Sequence, residues 1–111
     1  MSTFERYRRK PDPRVGREDQ LAVRFTSEES LDDLRALAQE ASFSDAGLAV
    51  VKFPTVTVLL VRWFRVNDDR PGDWEYLTVD LGSWLVYNPG YGSLYESDEA
   101  NWRQFYDRVP E

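Results

Sequence analysis

TVTVLLVRWFRV, NDDRPGD and WEYLTVDL, residues 55–66, 67–73 and 74–81, follow one another without a break, and their order decides the fold. The first run is dominated by Thr, Val, Leu, Trp and Phe, whose branched or flat side chains suit a pleated surface. Both of its faces are apolar up to Val61, which predicts a central strand covered on both sides. The middle run concentrates Asn, Asp, Pro and Gly, each of which favours chain reversal. The third run then returns beside the first, and a β-hairpin results.

Toward the N-terminus, Leu21, Val23 and Phe25 alternate with Ala22 and Arg24, the period-two pattern of a strand buried on one face. Thr26 followed by Glu29 fits a capping box, and Glu28, Glu29, Asp32 and Asp33 favour the positive end of a helix dipole. Leu31, Leu34, Leu37 and Ala38 make one apolar stripe, so a helix is predicted from about Ser27 to Ala41. Leu48 to Phe53 reads as a short strand cut by Pro54, which has no N–H for a ladder. Beyond the hairpin, Gly82 precedes a strand at Trp84 to Tyr87, and residues 88–93 read as a loop. Ser97 or Asp98 then caps a last helix through about Asp107, with Trp102, Phe105 and Tyr106 on its apolar side. The expected fold class is α+β: a small, curved, mostly antiparallel sheet with one helix after the first strand and one C-terminal helix.

A length of 111 residues with 41% apolar residues suits a single domain, expected over residues 18–111. Residues 1–17, with six Arg or Lys and two Pro, read as a basic N-terminal arm or edge segment. Residues 1–24 hold seven basic against four acidic side chains, and residues 25–111 hold seven against sixteen. Net charges of +3 and −9 make up the total of −6. So acidic a body repels a phosphate backbone, which argues against general nucleic-acid binding. No apolar run is long enough to span a membrane, and the expected location is the cytoplasm. Homodimerisation through an exposed sheet edge is an expected possibility.

The chain has neither Cys nor His, so a disulfide framework, a zinc ribbon, a thiol nucleophile and imidazole chemistry are all absent. None of its serines stands in a G-x-S-x-G elbow. Asp68, Asp69, Asp73 and Glu75 are the obvious carboxylate cluster, but their spacing does not match a calcium loop, and a solvated turn is the plainer account. No catalytic residue, metal site or cofactor is expected. In the run Arg62, Trp63, Phe64, Arg65, positions 62 and 64 face one way and 63 and 65 the other, so one guanidinium and one ring share each surface. Such a pair holds a phosphate and stacks a base; the competing account buries the rings and leaves the cations at their rims. Gly90 and Gly92 suggest a loop that approaches an anion, with Tyr87, Tyr91 and Tyr95 beside it. The expected contacts are Arg8, Arg9, Arg62 and Arg65 for phosphate and Trp63, Trp84, Tyr91 and Tyr95 for stacking.

Tyr7-Arg8-Arg9-Lys10-Pro11, Leu81-Gly82-Ser83-Trp84-Leu85-Val86, Tyr95 and the closing Phe105-Tyr106-Asp107-Arg108-Val109 together resemble a family. It is the small uncharacterised proteins of tailed phages and prophages that open with a Y-R-K-K-P-like segment and continue with a P-G-D-[WY]-[IV]-[IV] strand. Ser83 stands where that family usually has Asp, and residues 62–73 look inserted. The resemblance implies a phage or prophage origin and a small accessory role. The expectation is a non-enzymatic binding protein whose partner is a small nucleotide or a host protein, with counter-defence by sequestering a nucleotide signal as the leading role. An acidic protein-interaction module that inhibits a host protein or imitates DNA is the second expectation, and a carboxylate or metal enzyme the third.

Overall fold

The computed structural model describes residues 5–10, 19–67, 70–90 and 92–109. In chain order the elements are β1 (Glu5–Arg9), β2 (Asp19–Arg24), a 3-10 turn (Glu28–Ser30) leading into α1 (Leu31–Glu40), β3 (Gly47–Lys52), β4 (Thr57–Asn67), β5 (Arg70–Asp80), β6 (Trp84–Asn88), β7 (Ser93–Ser97), α2 (Glu99–Phe105) and β8 (Tyr106–Arg108). The architecture is the expected antiparallel α+β one, with its strands divided between two open sheets. One sheet has the order β7-β6-β2-β1-β8 and the other β3-β4-β5. No helix among the described residues is long and apolar enough to cross a membrane.

The hairpin read from residues 55–81 forms, and its turn is tighter than the cluster of turn residues suggested. Asn67 pairs with Arg70, so Arg70, Pro71, Gly72 and Asp73 lie inside β5, and an irregularity between Arg65 and Asn67 absorbs the offset. From there the register runs back through Phe64 opposite Trp74, Arg62 opposite Tyr76 and Leu60 opposite Thr78. Leu81 donates its N–H to the Thr57 carbonyl at 3.1 Å and ends the hairpin, and Gly82, at φ +93°, makes the turn into β6 that a side chain would strain.

Four further expectations need correction. The N-terminal strand is no edge: β1 lies between β2 and β8, because Tyr7 is buried and both of its backbone sides are paired. The final helix stops at Phe105, and Tyr106 turns extended at φ −129°, ψ 139° so that residues 106–108 can satisfy the outer edge of β1. Ser93, expected at the end of a loop, and Ser97, expected as a helix cap, instead bound β7, which pairs with β6 in the same way. In both places a non-local backbone pairing outweighs a weak local signal. The first helix also begins one residue later than the capping box implied, since it is the Ser27 hydroxyl that accepts from the Glu29 N–H, at 3.2 Å.

Two cores result, one on each face of the five-stranded sheet. Between the sheets, Leu34, Leu37 and Ala38 of α1 meet Val23, Phe25 and Leu85 from one sheet and Leu59, Val61, Trp63 and Val79 from the other. On the opposite face, Tyr7, Ala22, Trp84 and Val86 are closed over by Trp102 of α2. Trp102 stacks on Tyr106 at 4.3 Å between ring centroids and meets Tyr7 edge-on at 5.0 Å. Fully burying a ring of this size is worth about 4–6 kcal/mol of transfer free energy, which explains how a seven-residue helix stays docked.

Candidate ligand-binding face

The three-stranded sheet has α1 and the other sheet on its inner side and, among the described residues, no element packed on its outer side. Strand alternation puts Leu59, Val61 and Trp63 inward and Leu60, Arg62 and Phe64 outward, while Trp74, Tyr76 and Thr78 of β5 share the outer side through their register partners. β4 is therefore central, as its composition suggested, but covered on one face only. Leu60 and Val66 remain exposed, and Tyr76 is 70% exposed.

Arg62 is the cation at the middle of this face. Its side chain runs across β3 at Gly47, where an added Cβ would stand 2.7 Å from the guanidine Nε; the bare glycine is what lets it lie flat. Its guanidinium sits 4.6 Å from the centroid of Trp74, whose ring meets Phe64 edge-on at 5.4 Å. Phe64 in turn packs over Gly72, where a side chain would collide with the ring. Among the described residues no acid pairs with Arg62. Gly47, Ala49, Leu60, Arg62, Tyr76 and Thr78 line a shallow depression of about 700 Å³, the size of a small-molecule site.

A second, charged groove lies at the rim of the five-stranded sheet, beside Tyr7, Trp84, Arg24, Arg103 and Arg108. There the Glu99 carboxylate accepts from Trp84 Nε1 at 2.6 Å, from Arg103, and lies 3.1 Å from Arg24. Burial alone would raise the Glu99 pKa, but the hydrogen bonds from Arg103 and Trp84 and the charge of Arg24 outweigh it and hold it below the usual carboxylate value. Tyr7 moves the other way: burial and its 2.6 Å hydrogen bond to Glu5 push the phenol well above its ordinary value, so it stays protonated. Arg108 is 3.4 Å from Glu5. With its cations already matched to acids, this groove is a structural clasp holding α2 and β8.

The residues expected to bind are dispersed. Arg62 stands on the open face. Trp63 is buried between the sheets, and Arg65 has the same inward parity and stands opposite Asp73. Trp84 is buried on the far face of the other sheet. Arg8 is held by Asp19 in a two-pronged ion pair, at 2.6 and 3.2 Å, and the Asp19 contact raises its pKa. Tyr95 is half-buried and donates its hydroxyl to Gln20. Tyr91, the side chain of Arg9, and Asp68 and Asp69 of the carboxylate cluster lie outside the described residues. Among the described residues no three acids gather where a metal ion would be held.

Trp74 and Tyr76 are the site residues that sequence reasoning missed. No local signal reaches them: counting back from the Asn67–Arg70 pair would set Glu75 opposite Arg62, and it is the irregularity between Arg65 and Asn67 that shifts the register by one and brings Tyr76 there. No family model, curated protein or solved structure matches the chain.

Proposed function

We propose that the chain is a non-enzymatic, phage-type accessory protein that holds a small nucleotide on the outer face of its three-stranded sheet, and that its role is counter-defence by sequestering a nucleotide signal. One observation carries this reading: Arg62, whose guanidinium has no acid partner among the described residues, lies against Trp74 and, with the exposed Tyr76, lines an open depression of about 700 Å³. A guanidinium matches phosphate oxygens with a fork of N–H donors, and an exposed ring contributes about 1–3 kcal/mol by stacking on a base. The acidic body, −9 over residues 25–111, favours a small ligand over a polymer backbone. The phage-type origin rests on the resemblance at the two ends of the chain, and the non-enzymatic reading on the lack of imidazole and thiol groups.

Calorimetry against cyclic and ADP-ribose-derived nucleotides tests the reading. Binding by the wild type, weakened at least about tenfold by Arg62→Ala and by Tyr76→Ala, supports it. Absence of heat from every nucleotide disposes of it.

A second reading, an acidic protein-interaction module, draws on the apolar part of the same face, where Leu60 and Val66 are uncovered. Pull-down from a host lysate separates the two. A partner retained in high salt and lost on Leu60→Asp favours the protein reading, whereas a partner lost in salt alone points to charge mimicry.

A further inference from the structure

We infer that β5 is a dimerisation edge, joining two copies of this chain through an antiparallel β5–β5 contact centred on Leu77. The inference goes beyond the nucleotide reading and stands or falls independently of it. β5 is the outermost strand of its sheet and, at 11 residues, shares with β4 the greatest strand length in the molecule. The backbone groups of successive residues in such a strand point alternately inward and outward. Leu81 is bonded to Thr57, so from Asp73 to the end of β5, past the irregularity near the turn, the backbone groups of odd-numbered residues face β4 and those of even-numbered ones face away.

The outward amides are treated unequally. The Trp74 N–H is capped by the Asp73 carboxylate at 2.8 Å, and the Asp80 N–H by Glu96 at 2.7 Å. Between these caps, no hydrogen bond among the described residues reaches the Tyr76 or Thr78 N–H. An uncapped edge of this kind is a template for another strand, and natural proteins usually block it. Here the block covers the ends and leaves a window of two residues in the middle.

A second copy fits that window with its own window. In an antiparallel arrangement about a two-fold axis at Leu77, Tyr76 of each chain faces Thr78 of the other, and the four open N–H and C=O groups on each side bond one another. Neighbouring registers, centred on residue 76 or 78, would spend bonds on the Trp74 or Asp80 amides that carboxylates already hold. Charge also permits this register. Asp80 falls opposite Trp74, Glu75 opposite Val79 and Asp73 opposite Leu81, so no two acids oppose each other in a chain of net charge −6. The outer edge of β3 is a poorer candidate: it is six residues long, and the Lys52–Glu28 ion pair, 3.2 Å, guards one end. The paired β5 strands would join the two outer faces into one six-stranded surface.

Light scattering on the full chain, with three substitutions, tests the contact. Wild type is expected as a dimer. Thr78→Pro removes one outward donor without touching the β4 ladder, and a dissociation constant raised at least about tenfold, with an unchanged circular dichroism spectrum, is expected. The chain has no cysteine, so Leu77→Cys places its sole thiol on the axis, where mild oxidation should link two chains. Thr78→Cys sets its two thiols on residues roughly 8 Å apart by the strand spacing, beyond disulfide reach, and should not link. A monomeric wild type at high concentration overturns the inference. So does a dimer that Thr78→Pro leaves intact, or one that links through Thr78→Cys and not through Leu77→Cys.

Discussion

The two sheets use the same strand chemistry under different cover. Both faces of the five-stranded sheet are packed, one by α1 and the second sheet, the other by α2 and its aromatic cluster, so consecutive residues of its inner strand β6, Trp84, Leu85 and Val86, are all buried. Among the described residues the three-stranded sheet has one packed face. Its outer positions carry Leu60, Phe64, Val66, Trp74 and Tyr76, side chains as apolar as those inside, around one cation. The contrast teaches that composition sets how well a residue suits a strand, whereas its cover sets whether that residue stabilises the fold or is available for binding.

Substitutions can break or sharpen this contrast. Trp102→Ala should cost about 3–5 kcal/mol by urea denaturation, because it opens the far core of the five-stranded sheet. Leu59→Ala, on the packed side of β4, should cost about 2–5 kcal/mol, and Leu60→Ala, one residue along and on the open side, under about 1 kcal/mol. Equal costs at 59 and 60 would mean that the outer face is covered after all. Glu99→Gln should cost about 1 kcal/mol at neutral pH by weakening the clasp on α2. Since Glu99 has its pKa lowered on folding, its contribution is present above the unfolded carboxylate value of about 4.3 and disappears as pH falls through the lower folded value. Acid titration of stability should therefore be shallower for Glu99→Gln than for wild type, with the two curves converging once the pH has fallen below the folded-state value. Smallest of all, Tyr76→Ala should change the melting midpoint by no more than the equivalent of about 0.5 kcal/mol.

Much of this arrangement was legible in the residues. The β4–β5 hairpin, the α1 stripe and the strand at 84–87 carry period and turn signals strong enough to survive tertiary context. So does the division of Arg62 and Phe64 from Trp63 and Arg65, which is a matter of strand parity alone. β7 and β8 escaped because three to five residues with mixed polarity have no period of their own; they are strands only because β6 and β1 offer unpaired edges. The site was half legible. Arg62 belonged to the expected set, but Trp63 and Trp84, equally aromatic, went to the cores, and Trp74 and Tyr76 took the open face in their place.

Residue type, spacing and turn geometry act locally, and they are enough to give the class of fold, the antiparallel return of residues 74–81 beside residues 55–66, and a chemistry without imidazole or thiol. The division of the strands between two sheets, the choice of which aromatic rings are buried, and the outer face of β3-β4-β5 that the described residues leave open are set at the tertiary level. Those outcomes depend on which element covers which face. That is settled by the non-local competition of α1, α2 and the strands to bury apolar area, and no short window of sequence contains it.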